Sequence, residues 1–233
     1  MPFVVRTWNL FHGRTHPPGR RTHLRHMVEL VTADGPDVVA LQEVPVWALG
    51  RLERWSGMAA RWAVTVPSLL LGPLARVVTE IDAVRVRSLV TGQANVVLVG
   101  PRLRAGDQRL LQLNDVGRWE WLRRGRQQRW CQAVDVGTFV VANLHVTNEP
   151  RLAEAETARA AAFVTDAERV VLCGDFNLPS PAVEGYSAPI DGIDQILVRG
   201  LSLVEPAHAW EPARRVLGGR LLSDHAPVEA VVA

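Results

Sequence analysis

The chain has 233 residues, 48% of them hydrophobic and 21% charged, which is the balance of a soluble globular protein with room for a substantial core. No stretch reaches the roughly 18 uninterrupted apolar residues of a membrane-spanning helix, so an integral helical membrane protein is excluded. The net charge is only +2, with arginine as the basic residue throughout and no lysine; this argues against strong non-specific nucleic-acid binding but leaves room for a local basic patch.

The amino terminus lacks a basic region followed by an apolar one and reads directly as a strand over residues 3–8, so a cytoplasmic protein is expected. A loop over 12–21 carries two prolines and two glycines, and a helix over 22–32 places Leu24, Met27, Val28 and Val31 on one face. A strand follows at 38–42 and a helix at 45–55. Residues 67–86 are ambiguous between helix and strand, and the apolar stretch 64–74 reads better as a core helix than as a lipid-docking finger. Strands are expected at 94–99, 109–113, 130–136 and 138–145, the last two joined as a hairpin at Val136, Gly137 and Thr138. A helix over 151–165 and strands at 170–173, 193–198 and 226–232 complete the pattern. Cys131 and Cys173 sit inside apolar runs and read as reduced core residues. Without a repeat or a linker, residues 1–233 form one domain. The mixture of hairpins and intervening helices predicts a layered α/β (α+β) fold, two sheets face to face with helices outside.

Polar residues of one kind stand at the ends of these strands, where a rigid scaffold presents functional groups. They are Asn9, Glu43, Asn143, His145, Asp175, Asn177, Asp194, Asp224 and His225. Their oxygens suit a hard cation, Mg²⁺ or Mn²⁺, with Glu43 as the direct ligand and Asn9 and Asp224 binding directly or through water. His225 would face the same phosphate, its tautomer fixed by Asp194; His145 would donate to a phosphate oxygen. Asp175 would align or deprotonate the attacking water, and Asn177 would hold the nucleophile or an equatorial oxygen. Each piece has a bland alternative. The Gly174–Asn177 run could be a turn, the Ser223–His225 run a helix cap, Glu43 a surface carboxylate and His145 a structural histidine. The case rests on their conjunction and order.

Trp8-Asn9, Gln42-Glu43, Asn143-x-His145, the Gly-Asp-Phe-Asn run at 174–177, Ile193-Asp194 and the Ser-Asp-His run at 223–225 resemble, in this order, the endonuclease/exonuclease/phosphatase superfamily of deoxyribonuclease-I-like metallohydrolases. The resemblance spans residues 3–233. It implies a four-layer sandwich of two mixed sheets flanked by helices, and metal-assisted in-line attack of water on a phosphoester. It implies Glu43 as metal ligand supported by Asn9 and Asp224, and Asp175 and Asn177 as positioning the nucleophile. His145 and His225 stabilise the transition state, with Asp194 orienting His225. Asn95 and Asn143 fall on the substrate side. A common family variant has Asp two places after the first Asn; here that place is Phe11.

The substrate is set by loops, which the resemblance does not name. Arg118, Arg123, Arg124, Arg126 and Arg129 cluster among Trp119, Trp121 and Trp130. Such a run could grip a nucleic-acid backbone, Arg126 and Arg129 foremost, or be a solvated hairpin. His12, His16, Arg20 and Arg21 could add phosphate contacts or be plain surface. The expectation is a monomeric nuclease acting on DNA or RNA. The alternatives are a hydrolase of small-molecule or lipid phosphates and a catalytically silent binding protein.

Overall fold

A computed structural model of the chain describes residues 1–70, 72–82, 88–117, 120 and 127–233. Its strands are β1 (Phe3–Asn9), β2 (Thr15–His16), β3 (Val38–Val44), β4 (Ala59–Val66), β5 (Gln93–Val99), β6 (Gln108–Gln112), β7 (Trp130–Asp135), β8 (Val140–His145), β9 (Val170–Asp175), β10 (Asp194–Arg199), β11 (Leu203–Ala209), β12 (Val216–Leu217), β13 (Arg220–Leu222) and β14 (Val228–Val232). Its α-helices are α1 (Leu24–Thr32), α2 (Leu52–Ser56), α3 (Gly72–Ile81), α4 (Ser88–Thr91) and α5 (Pro150–Phe163).

Two sheets carry the fold, a six-stranded one in the order β11-β14-β1-β3-β5-β4 and a five-stranded one in the order β10-β9-β8-β7-β6. Alternation along each strand sorts its side chains into layers. From the first sheet, Val5, Val38, Ala40, Val97 and Val99 meet Val134, Val141, Val171, Cys173 and Ile196 of the second. Their neighbours in sequence, Trp8, Val39, Leu41 and Val96, face away and pack on Leu24, Met27, Val28 and Val31 of α1. The second sheet likewise turns Ala142, Leu144 and Leu172 toward Ala153 and Ala160 of α5. Four layers result: helices, sheet, sheet, helix. Because both faces of the central strands are buried, those strands read as unbroken apolar runs.

The hairpin at Gly137 is present, with Val136 N–H donating to Phe139 O (3.0 Å). Cys131 and Cys173 are buried and unbridged. Of the strands in these two sheets, β4 and β11 were not legible, and both lie at sheet edges, where half-exposed residues weaken the apolar signal; nor were the two- and three-residue strands β2, β12 and β13, which pair in a small third sheet. Pro206 inside β11 further disguises it. The segment 45–55 is a 3-10 run, Val46–Arg51, leading into the short α2. The expectation of a core helix over 64–74 is corrected. That stretch begins as the end of β4, and α3, which follows, buries only Ala75 and Thr79. Leu74, Val77 and Ile81 on α3 are 56%, 52% and 70% exposed. No helix among the described residues is long and apolar enough to cross a membrane.

Candidate functional site

The alternation that builds the inter-sheet core also builds the site. Thr7 and Asn9 continue the inward parity of Val5, and Gln42 that of Val38 and Ala40. Asn143 and His145 continue that of Val141, Asp175 that of Val171 and Cys173, and Asp194 that of Ile196. Register then sets them side by side. Asn9 is level with Gln42 on the parallel pair β1 and β3, while Asp175 is flanked by His145 on β8 and by Asp194 on β10. Apolar inward residues thus give way to polar ones where the strands end together.

Glu43 has the opposite parity and would face the helices. The register of β3 shifts between Leu41 and Val44, and Glu43 adopts φ 54°, a local break that re-aims its side chain. Its Oε2 lies 3.2 Å from His12 Nε2, in the 3-10 turn Phe11–Gly13 that follows β1. Gly174 is dictated by the backbone: at φ 133° a Cβ there would stand 2.0 Å from Leu144 O. Asn177 and Ser223 also take positive φ, 48° and 62°.

Asp175 is the centre. Its Oδ2 accepts from Asn9 Nδ2 (3.0 Å) and its Oδ1 from the Asn177 N–H (3.0 Å). His145 Nε2 lies 3.5 Å and His225 Nε2 3.9 Å from Oδ2. Burial, and then the charge of Asp194, push the carboxyl up to about 7, against the pull of His225 and Asn9. Burial alone would discharge His225. The hydrogen bond to Asp194 and the charges of Asp194, Asp175 and Asp224 overcome it and raise the imidazole to about 10. His225 is therefore an imidazolium, and its Nδ1–H donates to Asp194 Oδ2 at 2.8 Å. His145 goes the other way: burial, then the positive charge of Arg129, holds it well below its usual value, so it is neutral.

The Ser223–His225 turn is tied to the first sheet. Ser223 Oγ donates to Asn9 O (2.7 Å), the His225 N–H donates to Ser223 Oγ (3.1 Å) and Trp8 Nε1 donates to His225 O (2.9 Å). Asp224 is exposed beside this turn, its Oδ1 3.9 Å from His225 Nε2. Asn177 Nδ2 donates to Val146 O, fixing the loop after β9 against that after β8.

Two groups of acids could hold a cation. Asp175, Asp194 and His225 offer atoms within 4.8 Å of one another. That trio is better read as a hydrogen-bonded chain, because Nδ1 of His225 is already bonded to Asp194 Oδ2 at 2.8 Å. Asn9, Glu43 and Asp224 provide oxygen donors on adjoining elements, the donor type that a hard divalent cation takes.

Of the expected substrate-side residues, Arg129 reaches this region. Burial lowers its pKa, partly offset by the negative charges of Glu43, Glu156 and Asp175. Asn143 is fully buried, donates to Leu41 O and Val96 O and accepts from Gln42 Nε2, so it clasps the two sheets. Asn95 is also buried, its amide donating to Trp130 O across the sheets. Arg126, with Arg118, Trp119, Trp121, Arg123 and Arg124, lies outside the described residues. Sequence reasoning missed Arg215, which donates to Leu222 O and Ser223 O and braces the His225 turn. Nothing in its local sequence signals this. It also passed over Thr7, an acceptor for Gln42, which strand parity would have found.

A comparison with curated proteins finds no match. Among solved structures, a functionally unknown conserved protein from Enterococcus faecalis V583 superposes with TM-score 0.70 at 17% identity, over 99% of both chains. An endonuclease/exonuclease/phosphatase from Beutenbergia cavernae DSM 12333 gives TM-score 0.70 at 16% identity, over 99% of this chain and 71% of that one. Truncated Caenorhabditis elegans TDP2 gives 0.64 at 13%, over 100% and 97%. These likenesses establish a shared fold. The sequence itself matches the Endonuclease/Exonuclease/phosphatase family over residues 7–225, so the chain belongs to that family of phosphoester hydrolases.

Proposed function

We propose that the protein is a single-domain, divalent-cation-dependent phosphodiesterase that cleaves nucleic-acid strands by in-line attack of water. The observation that carries this reading is the surroundings of Asp175. One buried carboxylate is held by Asn9 and Asn177, with a neutral and a charged imidazole within 3.9 Å.

In this reading Asp175, with a proton affinity near neutrality, accepts the proton of the attacking water. Asn9 and the Asn177 N–H fix the carboxylate so that its free lone pairs face the water. His225 presents its Nε2–H to a phosphate oxygen, and Asp194 keeps the ring charged and oriented. His145 adds a neutral N–H, and Arg129 a positive charge, to the same anion. Asn9, Glu43 and Asp224 would hold Mg²⁺ or Mn²⁺, which when bound neutralises charge on the phosphate and its leaving oxygen. The protein is read as cytoplasmic and monomeric.

The test is a hydrolysis panel with purified protein in Mg²⁺ and in Mn²⁺, with EDTA and Asp175→Asn as controls. It holds single- and double-stranded DNA, abasic-site DNA, RNA, a generic phosphodiester, and inositol and sphingolipid phosphates. Strand cleavage lost in both controls is the expected result. Turnover confined to small or lipid phosphates would keep the chemistry and overturn the substrate class. Silence across the panel would leave a binding role.

A further inference from the structure

The outer helical layer of the first sheet holds a cavity of about 640 Å³ between α1, the 45–56 segment and α3. Five arginines and two glutamates line it. Arg25 pairs with Glu29 and Arg76 with Glu80, each at 2.7 Å, which neutralises both acids. Arg21, Arg51 and Arg54 are left over, and among the described residues no carboxylate pairs with any of them. Arg51 is fixed in place: it donates to Trp47 O (2.6 Å), and its guanidinium carbon lies 5.7 Å from the Trp47 ring centre. Trp47 packs edge-on against Trp55, and its buried indole N–H meets no acceptor among the described residues. Three arginines without a carboxylate partner among the described residues, lining one concavity, make it a place where an anion would be stabilised.

Its position relates it to the catalytic cluster. Trp47 follows Glu43 by four residues. On the other wall, the His23 N–H donates to Gly13 O (2.7 Å), and the neighbouring His12 is the residue against Glu43. Short backbone segments thus join both walls of the cavity to the Glu43–His12 pair.

We infer that this cavity is a second phosphate-binding site, which holds backbone phosphates of a nucleic-acid strand flanking the one at Asp175. The inference rests on the nucleic-acid reading above and extends it. A strand offers successive phosphates that reach from the catalytic cluster into a recess. A lone small phosphoester would fill only one of the two places.

The test is fluorescence anisotropy of a labelled single-stranded oligonucleotide, in EDTA so that nothing is hydrolysed, across a range of salt. It compares the wild type with the double variant Arg21→Gln, Arg54→Gln. Both positions are exposed, so the fold should survive. The wild type should bind with steep salt dependence, and the variant's slope of log affinity on log salt should be shallower by roughly 1.4, about 0.7 for each lost contact on a single strand. Hydrolysis of a small chromogenic phosphodiester in Mg²⁺ should be equal in the two proteins. Equal oligonucleotide binding by both, or binding only of anionic vesicles, overturns the inference. If strands bind in an Arg21- and Arg54-dependent way but are not cleaved, the cavity assignment stands and the nuclease reading fails. If the small diester is cleaved and no strand binds, the cavity assignment alone fails.

Discussion

Arg6 and Asp175 are both charged-type residues buried to within 2% of complete exclusion from solvent, and they are buried in opposite ways. Arg6 is saturated. Its Nε donates to Glu229, Nη1 to Val31 O and Asp34, and Nη2 to the other Asp34 oxygen, with the Trp210 ring 4.9 Å from its guanidinium carbon. Asp175 has one donor on each oxygen and two imidazoles beyond ordinary bonding distance of Oδ2. Strand parity turns Arg6 toward the helices and Asp175 toward the mouth between the sheets. The first cluster is complete without a partner and serves the fold. In the second, burial raises the pKa of Asp175, and the proton acceptor and the N–H donors face a common space; that arrangement stabilises a bound anion better than it stabilises the protein.

The contrast can be broken by substitution, and the largest effect is expected at Asp175. Asp175→Asn keeps the volume but removes the proton acceptor, so turnover should fall by about 10²–10⁴-fold. The urea midpoint should not drop, because burial already disfavours the charged form. A variant within about threefold of wild-type turnover would remove Asp175 from the mechanism. His225→Gln should cost about 10²–10³-fold, the scale of one donor to a developing oxyanion. Single-turnover rates at saturating substrate would separate this from weaker binding.

Arg6→Met should show the opposite signature. It should lose about 3 kcal/mol of stability, as expected when one partner of a buried ion pair is removed, with turnover of the remaining folded protein unchanged. Chemical denaturation alongside an active-site titration checks both halves. Glu43→Gln should act through metal affinity, shifting activity to higher Mg²⁺ and recovering in excess. Failure to recover at any metal concentration would give Glu43 a role beyond that of a ligand.

The smallest effect concerns pH. The folded-state pKa of His225 is raised to about 10 from the ordinary 6.5. The stability it contributes is therefore complete below about pH 6.5 and is lost as pH rises through about 10. In EDTA, the difference in unfolding midpoint between wild type and His225→Gln should shrink steadily from pH 7 to pH 10. A constant difference would mean that the Asp194 contact does not depend on the imidazolium charge.

Much of this was legible because the fold and the site share one device. The inner strands announce themselves as apolar runs, and Asn9, His145, Asp175 and Asp194, which stand at the ends of such runs, lie in the cleft because alternation carries them there. What stayed hidden was set by contacts distant in sequence. The edge strands β4 and β11 lack a two-sided apolar pattern. Asn143 was expected on the substrate side because it shares its strand end with His145, and lying two residues earlier puts it wholly between the sheets. Glu43 reaches its place through a bulge and a left-handed backbone, which no periodicity announces. Arg215 acts on a turn seven and eight residues away through its side chain alone.

The most direct test of the central claim is hydrolysis of a chromogenic phosphodiester by the wild type and by Asp175→Asn, each in Mg²⁺ and in EDTA, with both proteins shown folded by circular dichroism. Hydrolysis by the wild type in Mg²⁺ alone, abolished by either the substitution or the chelator, is the predicted result. Equal hydrolysis by the two folded proteins, or hydrolysis indifferent to EDTA, would contradict a metal-dependent site centred on Asp175.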